Sequence, residues 1–174
     1  MNLTSLFAAA FLVALQAGGA SAQQSSTAFY IGGGVNNESK VQEIDDTPFV
    51  IGMLAQLPNS GVLFGFDIAG EGEMLDSTYG SNGIRQAFSF NVLFGGNLMD
   101  DGNTRIGASL LLGMRETFAD CPDSYLGYQC YADREPDTDY DLNYGGLLSV
   151  SFDNLTIGVR ATEVSTQAVV GLSF

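Results

Sequence analysis

The sequence predicts an all-β chain: an eight-stranded antiparallel up-and-down transmembrane β-barrel with a polar, filled lumen. Three observations carry this reading. Eight segments alternate apolar and polar residues with period 2. The two faces so defined differ in chemistry. The connections alternate between tight turns and long acidic loops, as expected of a barrel with both ends on one side of a membrane.

The chain opens with Leu6 to Leu15, LFAAAFLVAL, an apolar run of about ten residues and too short for a typical helical span. Ala20-Ser21-Ala22 then forms a small-x-small cleavage pattern before Gln23. Residues 1–22 are therefore expected to be a cleaved signal peptide and 23–174 the barrel domain. No Lys or Arg precedes the apolar run, a departure from the usual signal. No Cys follows the cleavage pattern, so a lipid anchor is not expected. No other stretch approaches the length of an apolar membrane helix. Glycine is abundant at 22 residues, proline scarce at 4, and His and Trp are absent. Glycine between short β-branched and aromatic runs argues all-β. The net charge of −14 disfavours nucleic acid, whose phosphates it would repel.

The segments fall at about 28–36, 47–57, 62–71, 84–96, 104–115, 142–152, 155–162 and 166–174. The first holds Tyr30, Gly32 and Gly34 on one parity; its glycine run lacks the spacing and Lys of a phosphate loop and suits close packing or a bend. The second puts Phe49, Ile51, Met53 and Leu57 on one face and Gln56 on the other. The third sets Val62, Phe64, Phe66 and Ile68 against Gly65, Asp67 and Glu71. The fourth sets Phe88, Phe90, Val92 and Phe94 against Arg85, Ser89 and Asn91. In the fifth, Ile106, Ala108, Leu110, Leu112 and Met114 oppose Arg105, Gly107, Ser109, Gly113 and Arg115. The sixth divides Leu142, Tyr144, Leu148, Val150 and Phe152 from Asn143, Gly145, Ser149 and Ser151. The seventh divides Leu155, Ile157 and Val159 from Gly158 and Arg160. The last carries Ala168, Val170, Leu172 and Phe174 on one parity, with Val169 an apolar exception on the other. Further exceptions are Leu54, Leu63, Leu93, Leu111 and Leu147 on the polar face. Pro58 to Gly61, Asn97 to Asn103 and Asp153-Asn154 have turn chemistry.

Two barrels fit this alternation. A soluble one puts the aromatic face inside; a membrane one turns it to lipid. An eight-stranded lumen is just wide enough for side chains to fill. Glycine, serine and a few long charged residues suit that volume better than about ten aromatic rings, so the membrane form is expected.

The constellation resembles small bacterial outer-membrane barrels of the OmpA transmembrane-domain, OmpX and opacity-protein type. The Ala20-Ser21-Ala22 site, the alternating segments and the ending Val170-Gly171-Leu172-Ser173-Phe174 carry the resemblance, which covers nearly all of the mature chain. It implies a Gram-negative outer membrane, contact with outer-membrane lipid and lipopolysaccharide, and delivery by the barrel-assembly machinery. Val170, Leu172 and the terminal Phe174 match the assembly signal of that class. A cell-wall tether is not expected beyond Phe174, and the barrel is expected to be a monomer.

Charges on an inward face must be paired or hydrated. Counting across the third connection sets Glu71 opposite Arg85, with Arg115 reaching the same layer; Arg160 answers Asp67 from across the barrel. Arg105 belongs to the same inward set. Separate hydration of each charge is the alternative. Either way the charges plug the lumen.

Most of the negative charge lies in the long connections. Glu116 to Asp141 holds Cys121, Cys130, Tyr125, Tyr128, Tyr131 and Tyr140. In an oxidising compartment a Cys121–Cys130 disulfide is expected, worth on the order of 2–3 kcal/mol. A two-cysteine metal site lacks the histidine or second pair it would need. The loop reads as a solvated surface, as a tyrosine-rich protein contact, or, through Asp137, Asp139 and Asp141, as a divalent-cation site without the EF-hand pattern. No cofactor is expected. With no histidine, a histidine base is excluded and no carboxylate pair stands out, so no enzyme is expected. The expected role is structural or surface-interacting, in the manner of an adhesin or opacity protein. A small-solute or gated pore is the alternative, and a soluble lipocalin-like periplasmic binder the outside case.

Overall fold

The computed structural model describes residues 26–37, 47–58, 60–76, 83–101, 103–120 and 137–174. The expected signal segment and the loop bearing Cys121, Cys130, Tyr125, Tyr128 and Tyr131 lie outside the described residues. Eight strands follow in chain order: β1 Thr27–Asn36, β2 Phe49–Gln56, β3 Val62–Asp76, β4 Gly83–Asp100, β5 Thr104–Asp120, β6 Asp137–Phe152, β7 Leu155–Thr162 and β8 Ser165–Ser173. Each pairs antiparallel with the next, and β1 pairs with β8 to close the barrel. At the seam Thr27 and Phe174 exchange backbone hydrogen bonds of 3.1 and 2.9 Å. The Phe174 ring also meets Phe29 edge-on, with centroids 6.4 Å apart.

Closure decides which face is inside. Ile51, Phe64, Phe90, Phe94, Leu110, Leu112, Leu148 and Leu172 are exposed, while Asp67, Glu71, Asn91, Asn143, Arg160 and Gln167 are buried. Val170, Leu172 and Phe174 lie on the outer face. The glycine of β1 serves the seam: a Cβ on Gly34 would lie 1.9 Å from the Thr166 carbonyl oxygen. On one side the strands end in tight turns. Leu57 N donates to Val62 O across the first, Asp101 Oδ1 accepts from the backbone N of Asn103 and Thr104 in the second, and Asp153 takes a left-handed φ of 49° in the third.

On the other side β3 to β6 run further than their alternation suggests. At 15 to 18 residues they exceed the roughly 9–11 that cross a bilayer, and they project on the long-loop side. A bulge between Gly70 and Glu73, with Gly72 at φ 71°, inserts one residue into β3. The parity then switches, so Met74 and Asp76 are buried where Glu71 was the last inward residue before it. Beyond the bulge Leu75 and Asp76 pair in parallel with Phe118 and Ala119 of β5, which there also pairs with β6. The local strand order becomes β4–β3–β5–β6. Met74, Ala87 and Ala119 form a small buried cluster there.

The apolar exceptions on the inner face also have a place. Leu54, Leu63, Leu93 and Leu147 join Tyr30, Val50, Ala69 and Val169 in one buried cluster. The lumen is filled and carries the charges, and the apolar exceptions pack among them, Ala69 lying between Asp67 and Glu71 on β3 and Leu147 opposite Arg160 in register. An Arg at Leu112, in the outer apolar belt, is expected to destabilise the barrel by about 2–4 kcal/mol in lipid vesicles, read from urea unfolding.

Candidate functional site: a buried charge network

The network is built on β3. Two inward positions four residues apart, Asp67 and Glu71, place carboxylates on one wall, and β7 places Arg160 on the facing one. All three side chains are fully buried. Arg160 Nε donates to Asp67 Oδ2 at 2.9 Å, and its Nη1 donates to Glu71 Oε2 at 2.8 Å. Nη2 reaches both acids, at 3.2 Å to Asp67 Oδ1 and 2.9 Å to Glu71 Oε1. One planar guanidinium thus spans two carboxylates, a geometry its fork of donors allows and an ammonium does not.

Neutral donors complete the shell. Ser89 Oγ at 2.6 Å and Asn143 Nδ2 at 2.9 Å donate to Glu71 Oε1, and Thr162 Oγ1 at 2.8 Å and Ser165 Oγ donate to Oε2. Tyr30 Oη donates to Asp67 at 3.0 Å and Asn91 Nδ2 at 2.7 Å. Two carboxylates against one guanidinium leave a formal charge of −1, spread over these six polar side chains. Such a cluster is tolerated only when its oxygens are met this fully.

The other inward cations stand apart from it. The expected Glu71–Arg85 pair does not form. The bulge moves Arg85 opposite Met74 in register, and its Nη1 pairs with Asp76 at 2.9 Å with the guanidinium 60% exposed. Arg115 joins no acid of the network: its Nη1 lies 3.5 Å from the carbonyl oxygens of Glu73 and Glu116, and its buried Nε has no partner. Arg160 takes both acids instead. Arg105 lies at the short-turn mouth, where it donates to Ser26 and Gln56. Tyr140 is exposed on the projecting part of β6. The roles of Thr162 and Ser165 escaped the sequence reading because they flank a turn. Inward parity on β7 and β8 was the signal for them.

The apolar exterior and charged, hydrogen-bonded interior together define a class: an eight-stranded membrane-spanning β-barrel turned inside out relative to a soluble one. No family model matches the chain, and no curated protein matches it. Among solved structures it is similar to the Yersinia pestis outer membrane protein Ail in a phospholipid bilayer nanodisc, at 12% identity over 88% of this chain and 100% of that one, TM-score 0.49. It is also similar to crystal structures of Ail, the attachment invasion locus protein of Yersinia pestis. With the heparin analogue sucrose octasulfate the values are 15% identity, 86% and 97% coverage and TM-score 0.43; without it they are 13%, 87% and 99%, and 0.42.

Arg160→Met leaves two buried carboxylates without their cation and is expected to cost about 3–5 kcal/mol in urea unfolding. Arg85→Met removes the mostly exposed partner of the buried Asp76 and is expected to cost less than Arg160→Met in the same assay.

Proposed function

We propose that the chain is an outer-membrane barrel with a structural or surface-interacting role, its lumen plugged by the Arg160 network and its contact surface on the long-loop side. One observation carries the reading: the barrel exposes an apolar belt while a fully buried ion cluster spans its interior. An eight-stranded barrel packed in this way has no continuous aqueous path. Orientation follows from the connections, with the tight turns periplasmic and the long loops outside.

The projecting strands favour contact over transport. They present Tyr140 with Asp137, Asp139 and Asp141 on an exposed strand. The acidic excess of 20 against 6 points to a basic or neutral partner, because a polyanion would meet repulsion. The Cys121–Cys130 disulfide, if formed as proposed, orders the tyrosine-bearing loop between β5 and β6. No catalytic role is proposed.

Membrane fractionation followed by electrophoresis with and without boiling tests the location. The folded protein is expected in the outer-membrane fraction with heat-modifiable mobility; recovery from the soluble periplasm would overturn the proposal. In liposome-swelling assays no solute flux is expected, and flux of small sugars would favour the pore reading instead. Replacing residues 121–136 by a short Gly-Ser linker is expected to abolish surface binding while leaving heat-modifiability unchanged.

A further inference from the structure

The short-turn mouth holds a cation that joins no ion pair among the described residues. Arg105 starts β5 with its side chain half-buried. Its Nη1 donates to Ser26 Oγ and, at 3.2 Å, to Gln56 Oε1. The ion pairs among the described residues join Arg85 to Asp76 and Arg160 to Asp67 and Glu71. Asp100 faces Arg105 in register across the β4–β5 ladder and has a partner of its own. A guanidinium carries five N–H donors, so those on Nε and Nη2 remain for a ligand.

Space and further donors lie beside it. A partly open cavity of about 30 Å³ borders Arg105, with Asn97, Ser149, Ser151, Thr156 and Ser173 in its wall and no carboxylate side chain. Asn97 Nδ2 is buried without a partner. Ser151, Thr156 and Ser173 form a hydroxyl chain with links of 2.8 and 2.6 Å, in which either oxygen of each link can donate. Cation, unmet amide donor and adaptable hydroxyls call for an acceptor with negative charge. The Asp101 carboxylate is engaged in its turn, and Asp100 and Asp153 are exposed at the same end but absent from the cavity wall.

We propose that this mouth binds a single phosphate group, entering from the short-turn side, with its leading oxygens held by Arg105 and Asn97 against the hydroxyl chain. The void admits the volume of only a water or two, so the remainder of the phosphate stays in the open mouth. Inorganic phosphate and the headgroup of an anionic phospholipid share this chemistry.

The test uses the barrel in phosphatidylcholine nanodiscs, titrated with inorganic phosphate at constant ionic strength and followed by amide shifts. Saturable shifts are expected at Arg105, Ser151 and Thr156, with Kd about 1–10 mM. Arg105→Gln is expected to weaken binding about tenfold or more without changing heat-modifiability. Should that variant not fold, Asn97→Ala is expected to weaken binding several-fold. In discs containing phosphatidylglycerol, loss of the titration with the same amides already shifted would assign the site to the lipid headgroup. An unchanged titration would assign it to the free ion. Shifts that do not saturate, or that persist unaltered in Arg105→Gln, or in Asn97→Ala where that is the variant read, would overturn the proposal.

Discussion

The fork between Arg160 and the two acids of β3 is the interaction on which the rest of the barrel depends. Through it and its hydrogen-bonded shell, β1, β3, β4, β6, β7 and β8 all contribute a side chain to one cluster. Its value is specificity more than raw stability, because burying charges costs nearly what their attraction returns. A slip of one residue in any of these strands would turn its inward set to the outside. In a membrane that would carry a carboxylate or guanidinium into hydrocarbon. The cluster and the apolar belt therefore enforce the same register from opposite faces of one wall.

The interior above and below the cluster follows from this. Tyr30 links it to the apolar cluster, since its side chain belongs to that cluster while its hydroxyl meets Asp67. Leu54 and Leu63 face the cavity at the short-turn mouth. The apolar residues interleave with the ion network, Ala69 between its two acids and Leu147 opposite Arg160, while Arg105 stands at the turn-side mouth. The β3 bulge closes the other end. Gly72 permits the left-handed step, and beyond it β3 pairs with β5.

How much of this was legible residue by residue differs between the faces. The outer faces were legible, because lipid favours apolar side chains at every second position of a crossing strand. Asp67, Glu71 and Arg160 were legible as inward charges for the same reason. Their partnership was only half legible. Counting in steps of two across the third connection pairs Glu71 with Arg85, but one inserted residue at the bulge voids the count. Gly72 was visible in the sequence, yet glycine is common in this chain and marks no bulge by itself. The leucines on the inner face looked like lapses in the pattern, and only their mutual packing shows Leu54, Leu63, Leu93 and Leu147 to be one cluster.

The sequence by itself determined the class: period-2 alternation, turn chemistry and the segregation of charge to one parity leave an eight-stranded barrel as the economical solution. Those signals are local, set by residues two apart or within one turn. Tertiary structure decided which acid meets which base, where the register shifts, and that Arg105 at the short-turn mouth joins no ion pair among the described residues. Each of those depends on the height and tilt of strands far apart in sequence, which closure of the barrel sets and no local pattern encodes.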